Sequence, residues 1–213
     1  MKIIETKGIA YLQELGGNRE WYWGTDSACG DLYEAEEVFL KGKRFEPNRL
    51  VFVHYPDGNV YEPIPAKENQ YFGRPQYVEG KIHILLVNFA EKWIRVLQYV
   101  PETEGMSVKT EIPLGEVKDC YNLMMDDGSP LMIYRQGWEK QFQVIWPDKI
   151  DFAIGDRESF QFHEDGLMYF SEWFEDTEYR EEIVVREYTT GKIVKRMQGT
   201  AISMPENQHW ILR

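Results

Sequence analysis

Carboxylates are the commonest reactive groups in this chain. It carries 36 Asp and Glu against 24 Lys and Arg, a formal charge of −12. Seven of these acids, Asp26, Asp31, Glu79, Asp126, Asp127, Glu164 and Asp165, stand beside candidate turns or strand starts. Glycoside hydrolysis needs two facing carboxyl groups, one protonated as acid and the other ionised as base or nucleophile. Hairpin turns, however, favour Asp and its neighbours for local hydrogen bonding alone. Abundance at such places points to solvated turns before it points to catalysis.

The aromatic residues make a more specific pattern. With 7 Trp, 13 Tyr and 11 Phe, the chain has more ring surface than a core of this size strictly needs. Trp21 and Trp23 share one side of a strand by its two-residue period, with Tyr22 on the other side. Ring faces beside carboxylates suit sugars, whose C–H faces stack while their hydroxyls bond to Asp and Glu. Trp21, Trp23, Asp26, Asp31, Trp138 and Trp173 are therefore the expected ligand contacts. The competing expectation is that these rings fill the space between neighbouring sheets.

Several chemistries are excluded by pattern. The chain has no GxxxxGK[ST] phosphate loop, no GxSxG elbow, no HExxH and no CxxC pair. His54, His83, His163 and His209 occur singly, which predicts hydrogen-bonded structural residues, no metal site and no cofactor. Cys29 and Cys120 lie far apart in sequence, a usage that fits a reducing cytoplasm better than a disulfide framework. The acidic balance repels phosphate backbones and anionic membranes, so neither nucleic acid nor membrane is an expected partner. Residues 1–7 show no apolar run of signal or anchor length, and a cytoplasmic location is expected.

The elements that must position these residues are strands. Runs rich in β-branched and aromatic residues occupy 49–55, 81–89, 93–100, 131–134, 141–146 and 183–188. Turn signals such as Pro56-Asp57-Gly58-Asn59, Asp127-Gly128-Ser129-Pro130 and Thr190-Gly191-Lys192 separate them. One segment differs: Asp31 to Gly42 reads as a short helix, with Asp31 and Glu34 as a capping box and Leu32, Ala35, Val38 and Phe39 at helical spacing. Its simplest role is to cover a sheet edge.

Four segments repeat a turn glycine followed by an apolar, aromatic-rich strand, at Gly17, Gly80, Gly128 and Gly166. The last three glycines fall 48 and 38 residues apart, and Gly17 to Gly80 spans 63, so the first unit holds an insertion. Propeller blades run roughly 40–50 residues. On these repeats the chain resembles the β-propeller class. The resemblance implies an all-β fold of four or five antiparallel blades in one domain, 1–213, with a helical insertion at about 31–42. A β-sandwich with the same hairpins is the alternative fold. Propellers host many activities, so the class implies none by itself.

Three functions are compatible with these observations. The first is a binding module for a glycan or small polar ligand. The second is a glycoside-active enzyme with acids gathered at the propeller axis, although the chain is shorter than five-bladed glycosidases and lacks their early Asp-Pro motif. The third is a cytoplasmic scaffold whose acidic surface and strand edges meet a protein partner.

Overall fold

Alternating apolar residues and tight turns build the fold as a series of short meanders. The computed structural model describes residues 1–26, 30–65, 67–175, 178–204 and 208–213; Cys29 lies outside these. The chain divides into two compact units, Met1–Cys120 and Tyr121–Arg213.

In the first unit, β1 (Gln13–Glu14), β2 (Trp21–Thr25), β3 (Leu50–His54) and β4 (Val60–Tyr61) form one antiparallel sheet in chain order. The second sheet runs β5 (Gln70–Phe72), β7 (Lys81–Asn88), β8 (Trp93–Val100), β9 (Gly105–Pro113), and β6 (Gln76–Val78) also pairs with β7. The two sheets share one core, in which Phe52 of β3 stacks on Tyr99 of β8 at 6.3 Å. Ile82, Ile84 and Leu86 alternate along β7 into that core.

In the second unit, β10 (Leu123–Asp126), β11 (Met132–Gln136), β12 (Gln141–Trp146) and β13 (Ile150–Ala153) form one sheet. Then β14 (Glu158–Glu164), β15 (Leu167–Glu175), β16 (Tyr179–Glu187) and β17 (Ile193–Gln198) form another, followed by a hairpin of β18 (Thr200–Met204) and β19 (Gln208–Leu212). Phe142, Phe160, Met168, Phe170 and Val184 make the core that these two sheets share.

The fold class is all-β, of β-propeller type with four blade sheets. Strands follow chain order within each four-stranded sheet, which does not favour the β-sandwich alternative. The glycine-led repeats are β2, β7, β11 and β15, the second strand of each blade. At two of them the reason for glycine is a two-residue hairpin turn in which both residues have positive φ: Glu79-Gly80 (51° and 76°) and Asp165-Gly166 (51° and 75°). At Gly128 it is close approach instead, because a Cβ there would lie 2.5 Å from the His163 ring.

The expected insertion is the helix α1 (Leu32–Leu40). Asp31 Oδ1 accepts from the Glu34 backbone N–H at 2.8 Å, and Glu34 Oε2 accepts from the Asp31 N–H at 2.9 Å, completing the capping box. Its inner face carries Leu32 and Ala35, and Phe39 reaches the Phe89 ring at 5.8 Å. Glu36 is buried too, contrary to the apolar pattern, because its carboxylate accepts from the Cys120 backbone N–H at 2.7 Å.

Two lone histidines lie deep in the sheets. His163 Nδ1 meets Asp126 Oδ2 at 2.5 Å, both buried. His83 lies beside the Gln98 amide at 3.0 Å, and its pKa is pushed down to about 4, first by burial and then by Lys109 and Lys81. Unfolded, the same ring titrates near about 6.5. As pH falls from about 6.5 to about 4, the unfolded state takes up a proton that folded His83 refuses, so stability drops across that window. The slope of unfolding free energy with pH there should be shallower in His83→Gln than in the parent protein. Equal slopes would assign the acid sensitivity to other groups.

Candidate functional site

A hairpin turn builds the most exposed aromatic face of the second unit. Gly137, Trp138, Glu139 and Lys140 connect β11 to β12, closed by the Gly137 N–H to the Gln141 carbonyl (2.9 Å) and the Lys140 N–H to the Gly137 carbonyl (3.2 Å). A turn places Trp138 outside both sheet faces, and the residue is 68% exposed. Beneath it the Tyr121 ring stacks with centroids 4.1 Å apart and planes 27° from parallel.

Beside this pair lies a cavity of about 180 Å³, lined by Tyr121, Asn122, Gln136, Trp138, Lys140 and Asp156, with Gly137, Ile154, Gly155 and Glu158 completing the wall. Its walls are held from behind. Arg135, fully buried, donates to both Glu139 oxygens at 2.8 and 3.2 Å, which anchors the turn that carries Trp138. A Cβ at 137 would meet Glu139 Oε2 and Arg135 Nη1, so this ion pair would have to shift to admit one. The Gln136 side chain donates to the Glu158 carbonyl at 2.9 Å and accepts from the Phe160 N–H at 3.0 Å, tying β11 to β14. Glu158, itself 4% exposed, receives Arg186 Nη2 on both oxygens at 3.0 and 2.7 Å and the Gly155 N–H at 2.6 Å.

The two carboxylates at this cavity are committed to cations. Lys140 Nζ lies 2.5 Å from Asp156 Oδ1, and the hydrogen bond from Lys140 is the main cause that lowers the Asp156 pKa. Glu158 is matched by buried Arg186, whose guanidinium also lies 5.3 Å from the Phe152 ring centroid. A carboxyl held down by lysine cannot serve as a protonated acid near neutral pH, and the other is paired on both oxygens. The arrangement suits binding more than acid–base chemistry.

The expected contacts fall in different places. Of the six, Trp138 alone lines this cavity. Trp173 is 41% exposed on β15, with the Arg157 guanidinium 5.0 Å over its ring. Trp21 and Trp23, 6% and 8% exposed, belong to the core of the first unit, where Trp21 packs on His54 and Tyr61. Asp26 accepts from the Arg49 backbone N–H at 2.5 Å, and Asp31 caps α1. Among the other turn acids, Asp126 accepts from the Gly128 N–H at 3.2 Å and meets the buried His163 ring.

Sequence reasoning missed Tyr121, Asn122, Lys140, Asp156 and the supporting pairs Arg135–Glu139 and Glu158–Arg186. One signal was present: Trp138 sits between two strong strand runs, in a polar turn where a large apolar side chain has no packing to gain.

Fold and site together define a β-propeller-type chain with a small, aromatic-edged cavity in its second unit. No family model and no curated protein matches it. Solved structures that it matches include the β-propeller domain of the Trilobed protease from Pyrococcus furiosus (16% identity, TM-score 0.46, covering 92% of this chain and 60% of that one). Also matched are an acylaminoacyl peptidase in complex with Z-Gly-Gly-Phe-chloromethyl ketone (13%, 0.48, 92% and 34%) and the Pyrococcus horikoshii acylaminoacyl peptidase (10%, 0.47, 96% and 35%). The chain thus spans less than two thirds of each of those chains.

Proposed function

We propose that this protein is a binding module for a glycan or other small polar ligand, and that the cavity beside Trp138 is where the ligand sits. The observation that carries this reading is the exposed Trp138 face, backed by Tyr121 and fixed by the bonds from buried Arg135 to Glu139 at the mouth of a polar cavity. A large ring held rigidly in solvent loses little conformational freedom on binding, and an exposed apolar face gains from being covered. The commitment of Asp156 to Lys140 and of Glu158 to Arg186 favours binding over hydrolysis at this place.

Tryptophan emission titrated against a glycan panel tests it. A ligand should quench or shift the emission of the parent protein, Trp138→Ala should abolish that response, and Trp173→Ala should retain it. Because Trp138 is exposed and, among the described residues, stacks on Tyr121 alone, its replacement should cost no more than about 1.5 kcal/mol, and an unchanged folded baseline will show that loss of signal does not reflect unfolding. A response that survives Trp138→Ala places the ligand elsewhere.

A further inference from the structure

We propose that the ligand is one neutral sugar ring at the end of a glycan, stacked on Trp138 and read at two adjacent hydroxyls by the Asp156–Lys140 pair; this rests on the reading of the cavity as a ligand site.

Charge balance carries the first part. Each ionised group on the cavity wall already has its counter-ion: Lys140 with Asp156 at 2.5 Å, and Glu158 with Arg186 at 2.7 and 3.0 Å. An anionic or cationic ligand would have to open one of these pairs or bind beside an already neutralised charge: opening the buried Glu158–Arg186 pair is costly, and the exposed Lys140–Asp156 pair presents no net charge to attract it. A neutral diol need do neither. One hydroxyl can donate to a carboxylate oxygen of Asp156 while its neighbour accepts a remaining N–H of Lys140, because an ammonium has three donors and a carboxylate several lone pairs. The ion pair then reads adjacent hydroxyls without being opened.

Shape carries the second part. The wall is polar at Asp156, Lys140 and Asn122 and apolar at the Trp138 ring. The matching ligand therefore has one apolar face and a hydroxyl-bearing edge, as a sugar ring does. The volume, about 180 Å³, is below the roughly 300–1,000 Å³ of cavities that enclose drug-sized molecules. It has room for one ring, so any further residues of a chain extend into solvent and add little affinity.

The site is also built beforehand. Arg135 and Glu158, both more than nine-tenths buried, fix the Trp138 turn and the Gly155 backbone through the bonds described above. The Trp138 turn and the Gly155 backbone therefore need little ordering when the ligand arrives.

The test uses the whole chain and two readouts, tryptophan emission and calorimetry. Probes are glucose, galactose, mannose and their methyl glycosides, glucuronic acid, glucosamine, adenosine, and the di- to hexasaccharides of the neutral sugar that binds best. The expected result is that one neutral monosaccharide binds, that its methyl glycoside binds equally well, and that Kd changes by less than about threefold from mono- to hexasaccharide. Asp156→Asn and Lys140→Met should each weaken that binding about tenfold or more, the size expected for one charge-assisted hydrogen bond. Both residues are exposed, and unchanged unfolding midpoints will show that the variants fold.

Tighter binding of glucuronic acid, glucosamine or adenosine than of every neutral sugar would overturn the inference. So would affinity that rises steadily with chain length, or Asp156→Asn and Lys140→Met binding as the parent does. In each of those cases a Trp138-dependent response would still stand, and the cavity would remain a ligand site for another chemistry. If no probe moves Trp138 emission or gives heat, the reading of the cavity as a glycan site fails together with the inference.

Discussion

Replacing Glu158 with alanine is expected to lower the stability of the second unit by about 3–5 kcal/mol, the range for removing one partner of a buried ion pair. The loss would arise mainly from what remains. Arg186 is 8% exposed, and among the described residues its guanidinium would keep one hydrogen bond, from Nη1 to the Gly191 carbonyl at 2.7 Å, beside the Phe152 and Phe170 rings. The Gly155 N–H loses its acceptor at the same time. Urea unfolding followed by fluorescence measures the effect. A loss below about 1 kcal/mol would mean that the pair behaves like a solvent-exposed one. The double variant Glu158→Leu/Arg186→Met should recover much of the loss, because an apolar pair of similar volume has no buried charge to compensate. Glu158→Ala should also weaken ligand response, since Gly155 forms part of the cavity wall.

Phe142→Ala is expected to have a comparable effect, about 3–5 kcal/mol, for a different reason. The Phe142 ring is fully buried and meets Tyr134, Phe152, Phe160 and Phe170 at centroid distances of 5.3, 5.4, 5.0 and 5.1 Å. It stands between the two sheets of the second unit, so truncation removes its transfer free energy and leaves a cavity that four aromatic neighbours cannot close. Phe142→Leu should cost distinctly less, because most of the volume is kept. Equal losses for leucine and alanine would show that ring geometry, rather than filled volume, sets the stability here.

Much of the fold was legible because its signals are local. The Asp31/Glu34 box that starts α1 spans four residues, and the Glu79-Gly80 and Asp165-Gly166 turns are set by which residues tolerate positive φ. The glycine-led repeats accordingly identified the second strand of every blade. Glu36 was not legible: the group that makes its burial tolerable is a backbone N–H 84 residues away. The same holds for Gly128, where the demand comes from His163 across the unit.

The site was legible only in part. As residue types, Trp21, Trp23, Trp138 and Trp173 are equivalent, and each follows or lies in a repeat strand. The sequence by itself determined the strands, the turns, the helix and the acidic balance, because backbone sterics and side-chain period act between near neighbours. Only tertiary structure decided that Trp21 and Trp23 fill a core while Trp138 stands on a turn above Tyr121, and that Asp156 and Glu158 share one cavity wall. Those outcomes depend on which faces the sheets cover when they pack, and on ion pairs whose partners, such as Glu158 and Arg186, are brought together from 28 residues apart.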